Sequence, residues 1–199
     1  GVGKSRLISQ FRASLPAEGY TVIEGGCIHF GDAIPYLPIL DMLRNYFNIS
    51  EDEDEPGIKA KIATAVAGLG TQLAHILPPL HEILSLKVED ADYVKLDGKQ
   101  RRGKVFEAIR LLLVAQSQTK PLIVIIEDLH WIDPTSEEFL AFLINSLATC
   151  KILLMLLFRP EYTTAWAGKT YYSQIRVDQF PRKMIEDLVE GILQGAEAD

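Results

Sequence analysis

Two segments of this chain combine residue types that do chemistry together. Gly1-Val2-Gly3-Lys4-Ser5 stands at the start, and Glu127-Asp128 follows five aliphatic residues, Leu122-Ile123-Val124-Ile125-Ile126. The first segment suits an anionic, oxygen-rich ligand. Glycines let a backbone approach a polyphosphate and turn N–H groups toward it. A helix starting near Lys4 adds the partial positive charge of its N-terminus. Lys4 can reach terminal phosphates, and the Ser5 hydroxyl can hold Mg²⁺. Gly1, Val2, Gly3, Lys4, Ser5 and Arg6 are therefore the candidate phosphate-binding residues. An ordinary turn ahead of a helix is the plain alternative.

Gly3-Lys4-Ser5 forms the second half of the phosphate-loop pattern Gly-x4-Gly-Lys-[Ser/Thr], the Walker A motif. The first glycine of that pattern, and the strand before it, would lie upstream of residue 1. The second segment supplies what a phosphate loop alone lacks. A carboxylate at the tip of a buried strand holds Mg²⁺ in such sites, the Walker B arrangement. Ligands of open α/β sheets bind beyond the carboxyl ends of strands. Successive strand side chains face opposite ways, so Glu127 and Asp128 should differ in role if the strand continues. One would face the metal, directly or through water. The other would polarise an attacking water or bond a neighbouring strand. Ser5, Glu127 and Asp128 are the candidate metal ligands. An acidic strand-to-loop transition is the plain alternative. Both segments in one chain point to Mg²⁺ and ATP.

The elements that must position these residues are readable in outline. Lys4 to Leu15 has Leu7, Ile8, Phe11 and Leu15 at helical spacing, with Pro16 and Gly19 ending it. Tyr20 to Glu24 is β-prone. Pro38 to Phe47 reads as a helix with proline in its first turn. The run Glu51 to Glu55 reads as a solvated loop. Ile58 to Leu86 suggests two or three short helices broken by Gly70 and Pro78-Pro79, and Lys99 to Gln116 a longer one. Leu122 to Ile126 fits a strand buried on both faces of a parallel sheet. Asp133-Pro134 suits a helix start, the aspartate as cap and the proline at the first position. Ile152 to Phe158 reads as a second buried strand, Gln174 to Val177 as a third, and Pro181 to Leu193 as an amphipathic helix. Strands alternating with helices imply an α/β fold with a mainly parallel sheet.

Glu127-Asp128-Leu129-His130-Trp131-Ile132-Asp133-Pro134 resembles the extended Walker B segment of the P-loop ATPases called STAND, signal transduction ATPases with numerous domains, which are related to the AAA+ class. The likeness is nearest to ATPase segments beside adenylate or guanylate cyclase domains and in large LuxR-type transcription regulators. Gly25-Gly26-Cys27 with Ile34-Pro35-Tyr36-Leu37-Pro38 resembles the family's second strand and following loop, and Phe158-Arg159-Pro160-Glu161 the end of its sensor strand. The resemblance implies a three-layer α/β/α P-loop NTPase fold whose first strand precedes residue 1. It implies an ATPase core over residues 1–180, with 181–199 starting a helical lid or linker. Glu127 matches the metal-side position, usually Asp. Asp128 matches the acid associated with water activation. Arg159 matches the arginine that contacts the terminal phosphate, so Asp128, Glu127 and Arg159 are the candidate catalytic residues. A loop ion pair is the alternative for Arg159. Many relatives carry Thr where Leu157 stands. His130 and Trp131 are read as packing.

The chain has 199 residues, enough for one domain with a buried core. Twenty Lys and Arg against 27 Asp and Glu give a net charge of −7, which argues against direct nucleic-acid contact. Cys27 and Cys150 lack metal spacing and suggest a reducing compartment. No apolar run is long enough to cross a membrane, and no leader peptide is visible. The expected location is cytoplasmic. The expected partners are ATP and effector domains elsewhere in the same chain, whether cyclase, DNA-binding or helical-repeat.

Overall fold

The sheet is built around a strand that water does not reach. In the computed structural model, which describes residues 3–16, 18–29, 34–164 and 166–177, strand β2 spans Leu122–Glu127 and buries all five of its aliphatic residues. β-branched side chains fill both faces of such a strand well. Its neighbours are β1, Thr21–Gly26, and β3, Ile152–Leu156. The order is β1-β2-β3, and both pairings are parallel. The fold is thus α/β with a parallel sheet, as the strand and helix pattern implies.

The chain divides into two compact units, Gly1–Ala17 with Tyr172–Asp199, and Glu18–Tyr171. The second unit holds the sheet and helices α2, Leu37–Phe47, α3, Glu55–Leu69, α4, Leu77–Ile83, α5, Ala91–Val94, α6, Gly98–Thr119, and α7, Pro134–Ile144. The first unit contributes α1, Lys4–Ser14, in which Ile8 is buried, Phe11 is half-buried and Leu7 is exposed. Among the described residues no helix is long and apolar enough to cross a membrane.

Register sets where the loops emerge. Gly26 pairs with Glu127 and Ile126 with Leu156, so the three strands end at one level. The segments that follow them leave the same edge of the sheet. At the outer edge, α2 covers β1: the Asp41 carboxylate accepts from the Gly26 N–H at 3.0 Å, and the Asn45 amide donates to the Glu24 carbonyl at 2.8 Å. These bonds occupy ladder positions that another strand would otherwise use. The approach is close enough to require glycine, because a Cβ on Gly25 would lie 2.2 Å from the Pro38 carbonyl oxygen.

Four expectations need correcting. The strand expected to be buried over Ile152 to Phe158 stops at Leu156, and none of its five residues is fully buried, Leu153 being exposed. The acidic run is not merely solvated: Asp54 caps α3, Glu53 pairs with Lys61 at 2.7 Å, and Glu55 pairs with Lys59 at 2.8 Å. Pro78 and Pro79 do not break a helix but lie in the first turn of α4, where proline's missing N–H costs nothing. Gln174 to Val177 forms no strand, and Ile175 is 79% exposed, since among the described residues no strand pairs with it. The helix expected over Pro181 to Leu193 lies outside the described residues.

Candidate functional site

Helix α1 begins at Gly3, whose φ of 95° is left-handed and open to glycine at little cost. The Gly3 carbonyl accepts the first helical bond, from the Leu7 N–H at 2.9 Å. Gly3 at the N-cap offers no side-chain bond, and the first turn contains no acid. The first-turn amides and the positive end of the helix are thus arranged for an anion. Lys4, Ser5 and Arg6 occupy that first turn. Gly1 and Val2 lie outside the described residues.

In the other unit, β2 ends at Glu127, and Asp128 takes a left-handed conformation with φ 55°. The strict alternation expected of a strand therefore stops at Glu127. Asp128 leaves the strand in its own direction, with its side chain 48% exposed. A single 3₁₀ turn, Leu129–Trp131, follows, closed by the Trp131 N–H to the Asp128 carbonyl at 2.9 Å. Two further bonds tie this turn to the end of β3. The Leu157 N–H donates to the Ile126 carbonyl and the Leu129 N–H to the Leu157 carbonyl, each at 2.9 Å. Leu157 thus serves through its backbone, and its side chain is buried.

Asp133 then caps α7. Its Oδ1 accepts from the Thr135 and Ser136 amides at 3.0 and 2.9 Å, and the residue is 1% exposed. Cys27 lies nearby at the end of β1, its N–H donating to the Glu127 carbonyl at 3.0 Å. Burial pushes the Cys27 thiol up to about 12, and the negative charges of Asp133 and Asp128 add to the shift. The thiol is therefore protonated at neutral pH, the form that is a poor nucleophile.

His130 has a largely buried side chain, and its ring lies 4.4 Å from that of Trp131. Its Nδ1 is 4.0 Å from an Asp128 oxygen, too far for a hydrogen bond. His29, at the end of β1, meets Trp131 edge-on at 5.0 Å. Arg159 lies over the Trp131 ring, with Cζ 5.3 Å from its centre. Among the described residues the guanidinium therefore rests on an indole, which replaces the ion pair considered for it. Sequence reasoning missed this contact, since no periodicity links residues 131 and 159. Tyr36 packs edge-on against Phe106 at 6.2 Å, and burial raises its hydroxyl pKa.

Carboxylates at the end of one parallel strand, an arginine after the next, and a glycine-led helix elsewhere in the chain are the parts of a P-loop-type ATPase. The model of the AAA ATPase domain family matches residues 1–157, and the chain belongs to that family. Nucleotide binding goes with the family, usually together with Mg²⁺. An uncharacterized protein of Rhizobium meliloti (strain 1021) is 29% identical over 170 residues, covering 83% of this chain. The alignment takes in 16% of that relative, so the chain spans only a small part of its length. No solved structure matches the chain significantly. Arg159 lies just beyond the family match.

The residues present fit both implied ligands. The uncapped α1 start suits phosphate oxygens. Mg²⁺ asks a protein for few ligands beside phosphate, a hydroxyl and one or two carboxylates, and Ser5, Glu127 and Asp128 are of those types.

Proposed function

We propose that this domain is a Mg·ATP-dependent conformational switch within a larger signalling protein of the STAND type. Gly1, Val2, Gly3, Lys4, Ser5 and Arg6 bind the phosphates of ATP. Ser5, Glu127 and Asp128 are the side chains available to the cation. Asp128, turned out of the strand, orients the water that attacks the terminal phosphorus. The bond to the leaving oxygen breaks, ADP departs, and the proton of the water passes to the carboxylate. Arg159 neutralises charge on the terminal phosphate. Turnover is slow, and its role is to reset the switch. ATP shifts the balance of conformations only so far as it binds one better than the other. The output belongs to effector domains elsewhere in the chain, whether cyclase, DNA-binding or helical-repeat, and residues 181–199 begin the lid or linker toward them. The small share of the Rhizobium relative covered by the alignment supports a domain within a longer protein. The location is cytoplasmic.

The observation that carries this reading is the pair of carboxylates at and just after the end of β2, a strand whose end is level with that of β3. Phosphate release from Mg·ATP by the intact protein tests it. Asp128→Asn should lower turnover by about a hundredfold or more, the usual weight of a positioned base, while ATP still binds. Turnover unaffected by both Asp128→Asn and Glu127→Gln would remove these acids from the chemistry. A second reading, a nucleotide-bound scaffold that does not hydrolyse, is favoured by Leu157, whose apolar side chain cannot sense a phosphate as Thr can. Binding without measurable turnover in the wild-type protein would select it.

A further inference from the structure

We infer that Trp131 is a positioning residue for Arg159: the indole holds the guanidinium over its ring and leaves its N–H donors for an anion at the carboxyl end of the sheet. The inference rests on the reading that a terminal phosphate is bound there. Its physical basis is separate. The two residues sit on segments stitched together at fixed register, through the Leu157 N–H to the Ile126 carbonyl and the Leu129 N–H to the Leu157 carbonyl. Trp131 is itself fixed, by its N–H bond to the Asp128 carbonyl, by His29 edge-on at 5.0 Å and by His130 at 4.4 Å. The backbone of Arg159 is anchored as well. Its carbonyl accepts from the Tyr162 N–H at 3.0 Å, and the Tyr162 hydroxyl donates to Glu137 on α7 at 2.6 Å. Only the long arginine side chain would then be loose, and Arg159 is an exposed residue. The indole face, 5.3 Å from Cζ, restricts it.

A guanidinium held over an aromatic ring by charge and quadrupole gives up no hydrogen bond to an oxygen there, so its five N–H donors remain able to take phosphate oxygens in pairs. Ring contact and phosphate contact are therefore compatible. The ring reduces the conformational freedom that Arg159 loses on meeting the anion. A carboxylate in the place of the indole would instead compete for those donors and neutralise the charge.

The test is a double-mutant cycle on the intact protein, with Mg·ATP and Mg·ADP affinities read by calorimetry. Trp131→Leu should weaken Mg·ATP by about threefold to tenfold, the range of a cation–π contact on a partly exposed site. Mg·ADP, which lacks the terminal phosphate, should be little affected. Trp131→Tyr keeps a π face and should restore most of the ATP affinity; Trp131→Met keeps bulk alone and serves if the leucine variant does not fold. In an Arg159→Ala background, Trp131→Leu should have no further effect. Equal losses for ATP and ADP, or an undiminished loss without Arg159, would overturn the inference and leave Trp131 as packing. Failure of the underlying reading looks different: the wild-type protein then binds no ATP, or Lys4→Ala binds it as well as wild type, and the inference falls with it.

Discussion

Helices α1 and α7 begin in opposite ways. At α7 the chain closes its own helix end: Asp133, almost fully buried, accepts two amide bonds, and Pro134 removes a third donor. At α1 a left-handed Gly3 turns the backbone into the helix, with no side-chain cap and no acid in the first turn. Helices α3, α5 and α6 follow the pattern of α7, each with an aspartate cap. Helices α2 and α4 start without a side-chain cap, but Pro38 in the first turn of one and Pro78 and Pro79 in the first turn of the other remove donors. Among the described residues α1 is the α-helix whose first turn has neither a bond from its N-cap side chain nor a proline, and lysine and serine stand in that turn. The contrast separates a structural helix start from a binding one, although both obey the same electrostatics.

The largest effect should come from closing the open start. Gly3→Asp places an acid where the ligand's charge should sit, and aspartate tolerates the left-handed conformation better than most residues. Mg·ATP affinity should fall by about a hundredfold or more, the weight of a unit charge at contact distance near a protein surface, as read by calorimetry. Affinity unchanged by the acid would remove the contrast.

Opening the closed start should cost stability. Asp133→Ala leaves the Thr135 and Ser136 amides without their acceptor, and denaturant unfolding should show a loss of about 2 kcal/mol. Asp133→Asn keeps an acceptor and should lose roughly half as much. A smaller change is expected from Gly3→Ala, which adds a Cβ to a left-handed residue at about 1 kcal/mol and should fray the first turn of α1 in hydrogen exchange.

The smallest effect concerns the thiol beside the closed start. Cys27 is raised from 9.0 to about 12 by burial, then by Asp133 and Asp128. With the folded value above the unfolded one, the stability gained from the protonated thiol is complete below pH 9. It drains away as pH rises toward about 12. Cys27→Ala should flatten that alkaline slope. At neutral pH a thiol reagent should modify Cys150, which is half-buried, before Cys27.

What the sequence made legible was what depends on neighbours along the chain. Strand β2 is visible because burial on both faces demands an unbroken aliphatic run, and α7 because Asp133-Pro134 is a local signal. The acids at 127 and 128 were legible as a pair, but their geometry was not: the left-handed turn at Asp128 depends on bonds that Leu129 and Leu157 make across strands. Gln174 to Val177 misled because β-propensity describes a side chain's fit to a sheet and cannot supply the partner strand. Asp54 in the acidic run was read as one more solvated charge until the start of α3 fixed it as a cap. The contact of Arg159 with the Trp131 ring was illegible for the same reason as the Gly25 approach to Pro38. Each joins segments that meet only once the sheet has formed.

The central claim is that the open start of α1 holds the phosphates of ATP. Calorimetric titration of Mg·ATP into the intact protein, with Lys4→Ala beside it, tests this most directly. The account predicts saturable binding at one site in the wild-type protein and its loss in Lys4→Ala, with both proteins melting alike. A folded wild-type protein that takes up no ATP, or a Lys4→Ala protein that binds equally well, would contradict it.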